Sequence, residues 1–278
     1  MKNTEPAISL LVIMCLIYLS NGTSSTVFSI SEDNLVFVGN NEELDYSTDV
    51  EVWFVPATKK AYGRICFGWR QFMCFRIAEG GMNDQGLFFD WASCPKSKPP
   101  IFPGKEMLLR HCINDRILAE CATVDEAIRW LKRYTIITNS HIMLADKGGN
   151  SAVIEWVDSE LSVINKKGTY QVMNNFWLSR PELGEFPCDE YGLTVKMLEE
   201  RVDLSIEYIV STLKLVSIYK QISGKVIGTI YSNVYDLVNG DVYTYYKLDY
   251  ENSVIFNLEK ELEKGRRIFA LESLFTNH

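Results

Sequence analysis

The apolar patterning of this chain comes in blocks of one period and does not alternate between strand and helix. Residues 27–30 and 35–38 read as two short strands around a polar turn at 31–34. Residues 50–55 (VEVWFV) alternate and are closed by Pro56, and 62–69 form a further β-like run. Residues 80–86 (GGMNDQG) read as a tight loop leading into 87–91 (LFFDW), a strand buried on both faces. Helical spacing then takes over at about 105–119 and again from 123 to 134. The second stretch opens on Thr123 and Glu126 as a capping box, with Ala127, Trp130, Leu131 and Tyr134 as its apolar stripe. Strand patterns return: 141–145 and 151–157 flank a loop at 146–150, and 161–164 and 170–173 flank a second one. Residues 191–201 and 205–222 carry helical spacing. Residues 229–238 and 242–246 pair around Asn239-Gly240, a strong hairpin signal. A short helix at 258–264 stops at Gly265. A doubly wound parallel sheet needs strand and helix in alternation. The block order instead predicts an α+β fold with antiparallel sheets and segregated helical layers. No repeat or linker divides 25–278, which reads as one domain.

Residues 8–19 (ISLLVIMCLIYL) are apolar except for Ser9, too short for a comfortable membrane span and the right length for the apolar region of an export signal. Gly22 and Ser24 then place small residues at −3 and −1 if cleavage falls before Ser25. The expectation is a signal at 1–24, an exported mature chain and no membrane span after processing. The alternative is an uncleaved N-terminal anchor. The net charge of −8 is scattered, with no Lys/Arg cluster, which argues against nucleic acid as a partner. Oligomeric state is not legible.

Seven cysteines are present, and Cys15 leaves with the signal. The other six, Cys66, Cys74, Cys94, Cys112, Cys121 and Cys188, are either bridged or buried as free thiols. None shows C-x₂-C spacing, so no metal is expected. The three histidines, His111, His141 and His278, lie in no telling context for a triad. Amide chemistry without a histidine base can use the α-amine of a processed N-terminus, whose ordinary pKa of about 7.7–8.0 lies near working pH. Cleavage before Ser25 would expose nucleophile and base on one residue.

The segment 25–30 (STVFSI) resembles the opening of the choloylglycine hydrolase and penicillin acylase group of N-terminal-nucleophile hydrolases, the linear amide C–N hydrolases, which begins with Cys. Further stretches match in order: 38–43 (VGNNEE), 53–57 (WFVPA), Tyr62-Gly63 and 80–90 (GGMNDQGLFFD), which is close to the group's G-G-M-N-x-x-G-L-x-x-D. Residues 123–134, the hairpin through Asp146 and Glu155, 170–175, and Tyr235-Asp236 with Asn239-Gly240 follow. The resemblance covers nearly the whole mature chain.

That resemblance implies a four-layer αββα sandwich with the N-terminal residue at the edge of the central sheets. It implies hydrolysis or acyl transfer on a small N-acyl amide, with no cofactor. Residue by residue it places Ser25 on the nucleophile, Glu43 on the Asp that holds the α-amine, and Asn175 on the oxyanion hole. Asn83 and Trp91 are the candidate substrate contacts. The chain departs from the group in Ser25 for Cys, in Glu43 for Asp, and in Asn40 and Glu190 where members often carry Arg. A member that kept the fold and lost the chemistry, acting as a binding protein, is the alternative.

Overall fold

The computed structural model describes residues 25–70, 76–222 and 224–276. The expected export signal at 1–24 lies outside the described residues, as do Cys15, Cys74 and His278.

Two antiparallel sheets form the centre. The first is built from β1 (Ser25–Glu32), β2 (Leu35–Asp45), β12 (Tyr170–Met173), β13 (Tyr219–Ile222), β14 (Lys225–Asp236), β15 (Asp241–Tyr246) and β16 (Asp249–Asn257). Its order is β12-β1-β2-β14-β15-β16, with β13 also on β14. The second comprises β3 (Val50–Val55), β4 (Arg64–Arg70), β5 (Arg76–Asn83), β6 (Leu87–Ser93), β9 (Ser140–Asp146), β10 (Ser151–Val157), β11 (Glu160–Asn165) and β17 (Arg267–Ala270). Its order is β11-β10-β9-β6-β5-β4-β3-β17. A separate parallel pair joins β7 (Glu106–Leu109) to β8 (Tyr134–Ile137).

The period-2 strands explain the layering. Inward residues such as Val27, Val38, Phe54, Phe67, Phe88 and Val153 pack between the sheets as one core. The outer face of the second sheet is apolar too. It is covered by α1 (Asn114–Glu120) and α2 (Val124–Leu131), with Trp91, Ile117, Leu131 and Trp156 in the contact. The outer face of the first sheet is covered by α3 (Asp189–Glu200) and α4 (Ile206–Leu215) through Phe28, Phe37, Leu198 and Leu213. The short α5 (Leu258–Glu263) follows β16. The result is the four-layer αββα sandwich. Thr123 caps α2 by accepting the N–H of Glu126, whose own carboxylate takes the N–H of Ala122.

Three readings of the sequence are corrected. The stretch 105–119 is a strand, a 3₁₀ turn at Arg110–Cys112 and only then α1. Pairing of β7 with β8 in a parallel ladder, with Leu108 and Ile136 buried, overrides the helical spacing. Residues 205–222 do not continue as one helix, because Tyr219–Ile222 turn back to pair with β14. The glycines at 80 and 81 belong to β5 and not to a loop. A Cβ on Gly80 would sit 2.4 Å from Asp90 Oδ2, and one on Gly81 2.3 Å from the Ile65 carbonyl. The pair is needed for close approach inside a sheet. Among the described residues Cys66, Cys94, Cys112, Cys121 and Cys188 are free thiols, and of these only Cys66 and Cys121 are buried.

Candidate active site

β1 lies between β12 and β2, with Val27 opposite Met173 on one side and Ser25 opposite Glu42 on the other. Continuing the first register past β12 brings Asn174 beside Thr26 and Asn175 beside Ser25. The side chains bond accordingly. Asn174 Nδ2 donates to Thr26 Oγ1 at 2.9 Å, and the Ser25 N–H donates to Asn175 Oδ1 at 2.5 Å. Asn175 Nδ2 donates to the carbonyl of Ser93 at the end of β6, 2.9 Å away. One amide therefore ties the start of β1 to the opposite sheet. Its oxygen, rather than its nitrogen, meets Ser25.

Strand alternation sorts the carboxylates. Ser25 shares a face with Val27, and Glu42 shares one with Val36, Val38 and Leu44, all between the sheets. Directly opposed residues of an antiparallel pair have Cβ atoms about 4.5–5.5 Å apart on one face. Glu42 is thus the acid on the side of the Ser25 hydroxyl. Glu43 points to the other face, where it accepts from Thr229 Oγ1 at 3.1 Å, close to Glu190 and Lys220. Both acids are buried. Burial, and for Glu42 the neighbouring Glu79 and Asp90 charges, raise their pKa values well above the ordinary range. Asp90 is raised well above its ordinary value, mainly by burial and then by Glu79. Burial also raises Glu79, against the opposing pull of the bonded Arg110 guanidinium.

Outward of Asn175 lies a cleft of about 480 Å³. Asn174, Asn175, Phe176, Cys188, Glu190 and Lys220 line it, among others. Lys220 Nζ is 3.5 Å from Glu190 Oε1. The Cys188 thiol donates to Asn174 Oδ1 at 3.3 Å, and burial raises its pKa.

The structure does not bring Asn83 or Trp91 to this cleft. Asn83 Nδ2 donates to the carbonyls of Leu118 and Cys121, while Oδ1 accepts from Gln85 and Leu87. It braces the β5–β6 turn against α1. Trp91 is fully buried, bonded to Asn114 and stacked on Trp156 at 6.0 Å. Two residues that sequence reasoning passed over do reach the site. His141 places Nε2 2.7 Å from the Asn174 carbonyl and Nδ1 2.9 Å from Glu155 Oε1. The hairpin register contained that second contact.

Similarity to known proteins bears on the family and the fold. Residues 30–247 match the family model "Acyl-coenzyme A:6-aminopenicillanic acid acyl-transferase", a span that begins after Ser25. A penicillin V acylase of Pectobacterium atrosepticum is 32% identical over 112 residues. That match covers 34% of this chain and 29% of the relative's length. Among solved structures, a mutant of the conjugated bile acid hydrolase of Clostridium perfringens superposes with a TM-score of 0.71 at 16% identity, covering 88% of this chain and 96% of that one. Penicillin V acylase from Agrobacterium tumefaciens gives 0.69 at 20% identity, with 89% and 91% covered. These two show the shared fold. The match over most of its length places this chain in the acyl-coenzyme A:6-aminopenicillanic acid acyl-transferase family, within the linear amide C–N hydrolases of the N-terminal-nucleophile fold.

Proposed function

We propose that the protein is exported, loses residues 1–24, and then hydrolyses linear amides with Ser25 as its N-terminal nucleophile. The observation that carries this reading is the bond from the Ser25 nitrogen to Asn175 Oδ1 at the start of β1. Once that nitrogen is a free amine, an acceptor on one of its protons orients its lone pair. A base so oriented beside its own hydroxyl needs little further positioning.

The Ser25 hydroxyl oxygen attacks the amide carbon and its proton passes to the α-amine. The tetrahedral intermediate collapses as the C–N bond breaks, and the proton leaves on the departing amine. Water, activated by the same amine, then attacks the ester and releases the acid. An acceptor amine in place of water completes an acyl transfer. While the α-amine is protonated it lies on a strand directly opposite Glu42. That acid, rather than Glu43, is assigned to accept a hydrogen bond from the amine, because it shares the face of the Ser25 side chain. Asn175 is assigned to hold the amine. The substrate class follows the family and its relatives, and the cleft outside Asn175 is the place given to the rest of the substrate.

The intact mass of the exported protein, before and after an acylating probe, tests the processing and the nucleophile together. The expected result is a chain beginning at Ser25 that gains one acyl group, and none in Ser25→Ala. A mature N-terminus several residues away sinks the mechanism. Equal background turnover by wild type and Ser25→Ala on every N-acyl amide tried leaves a binding protein that retains only the fold.

A further inference from the structure

We propose that His141 and Glu155 are positioning residues for the reaction assigned to Ser25, clamping from the opposite sheet the turn that carries Asn175. The proposal rests on that reading of Ser25, but the clamp itself is a matter of geometry. Asn175 leaves the end of β12 in the first sheet, while His141 and Glu155 stand on neighbouring strands, β9 and β10, of the second. Their four contacts bracket it. On one side, His141 Nε2 meets the Asn174 carbonyl at 2.7 Å. On the other, Glu155 Oε1 accepts the Leu178 N–H at 2.7 Å, and Oε2 accepts the Ser179 N–H at 2.9 Å and hydroxyl at 2.5 Å.

The valences of this arrangement are restrictive. Nε2 faces a carbonyl oxygen, which can only accept. Nδ1 faces a carboxylate oxygen that already accepts from Leu178. Burial pushes the Glu155 carboxyl up, but the bond and charge of His141 and the donors of Ser179 outweigh it, so its pKa lies below the ordinary value. A carboxylate on one nitrogen and a carbonyl on the other are both satisfied only when the ring carries two protons. Both side chains are fully buried. A buried ion pair is weak support for stability, since well-packed apolar residues often serve as well. What it supplies here is direction: three of the four bonds fix backbone atoms of the Asn175 turn, at Asn174, Leu178 and Ser179, and the fourth holds the Ser179 hydroxyl. Trp177 adds an edge contact on the ring at 5.9 Å, and its Nε1 donates to the Pro95 carbonyl at 2.9 Å.

Neither residue touches Ser25, so their effect must pass through the Asn174–Ser179 backbone to the Asn175 amide. Misplacing a catalytic group by about 1 Å lowers a rate on the order of 10²-fold. The loss falls on kcat, because the cleft that binds substrate keeps its other walls.

The test compares processed wild type with His141→Ala, His141→Gln and Glu155→Gln on a series of N-acyl-4-nitroanilides. Rates are normalised to folded protein, and hydrogen exchange is followed by mass spectrometry. His141→Ala is expected to lower kcat by roughly 10²-fold with KM within about twofold. His141→Gln, which keeps one donor for the Asn174 carbonyl, recovers part of it. Glu155→Gln keeps shape and volume, and answers the question where His141→Ala does not fold. Faster exchange should be confined to peptides spanning 174–179. A normal kcat per folded molecule in both His141→Ala and Glu155→Gln overturns the proposal, even if both melt earlier. If the wild type cleaves none of the anilides, the reading of Ser25 loses support while the exchange data still decide the clamp. Unchanged exchange at 174–179, or a uniform increase everywhere, overturns it.

Discussion

His141 and Glu155 meet across the β9–β10 hairpin, Nδ1 to Oε1 at 2.9 Å, with neither side chain reaching solvent. Removing one member leaves the other buried without its hydrogen-bond partner. Glu155→Ala should therefore lower the unfolding free energy by about 3–5 kcal/mol. Adding His141→Leu removes the orphaned ring and should restore part of the loss. Urea unfolding of the single and double variants measures both, and a double variant weaker than the sum of the singles contradicts the pairing.

The pH dependence of stability has two opposed parts. The folded pKa of Glu155 is lowered, so its contribution is present above the unfolded value of about 4.3 and is lost as pH falls through the folded value. The folded pKa values of Glu42, Glu43, Glu79 and Asp90 are raised. Above about pH 4–4.5 the unfolded chain releases these protons while the folded chain retains them, so stability falls as pH rises through that window. The melting temperature should peak on the acidic side and decline towards neutrality. Asp90→Asn removes one of these four acids and should flatten the decline. A melting temperature that rises steadily from pH 5 to 7 in the wild type would contradict the assignment.

The sandwich was legible because many small matches fell in order, and the inward residues of its strands follow period 2 as expected. The strand β13 was not. Its four residues are all exposed, so no burial pattern marks them, and only pairing with β14 makes them a strand. β7 is similar, since Leu108 is its one buried residue. At the site, the resemblance pointed to Ser25 and Asn175, which the structure places side by side, but it could not tell which of Glu42 and Glu43 shares the Ser25 face. One residue of register turns a side chain to the other face, and a motif match cannot carry that precision. His141–Glu155 was within reach. A hairpin looping at 146–150 pairs Ala145 with Ser151 and runs to Ile142 with Ile154, and one more step of that register sets 141 against 155.

Asn83 separates a structural role from a catalytic one. Its side chain makes four bonds that close the β5–β6 turn on α1. Asn83→Ala leaves two carbonyls and two N–H groups without these partners. A loss of about 1–3 kcal/mol is expected, as for a buried polar group left unpaired. The kcat and KM per folded molecule should stay within about twofold of wild type, given that Asn83 is absent from the cleft lining. A KM raised tenfold at unchanged stability would return Asn83 to substrate contact.

The cleft also predicts which charge a substrate should carry. Glu182, Glu185 and Glu190 line it against one cation, Lys220. Lys220 offsets Glu190 at 3.5 Å. Arg180 bonds Glu182 but is shared with Asp158, so that group still carries a net negative charge. Glu185 adds another. Two uncompensated negative charges beside Asn175 repel a carboxylate and attract an ammonium. Exposed charges are worth roughly 0.2–1 kcal/mol each, so a threefold to tenfold preference in kcat/KM is expected at low salt. Matched N-acyl amides differing only in a terminal ammonium, hydroxyl or carboxylate measure it. The charge should be placed first on the amine half and then on the acyl half. The ammonium member should lead in the series whose charged end occupies the cleft. Its advantage should shrink at 0.5 M salt, where screening shortens to about 4–5 Å, and in Glu185→Gln. Carboxylate members that are equal or faster in both series would remove the cleft charge from the account of specificity.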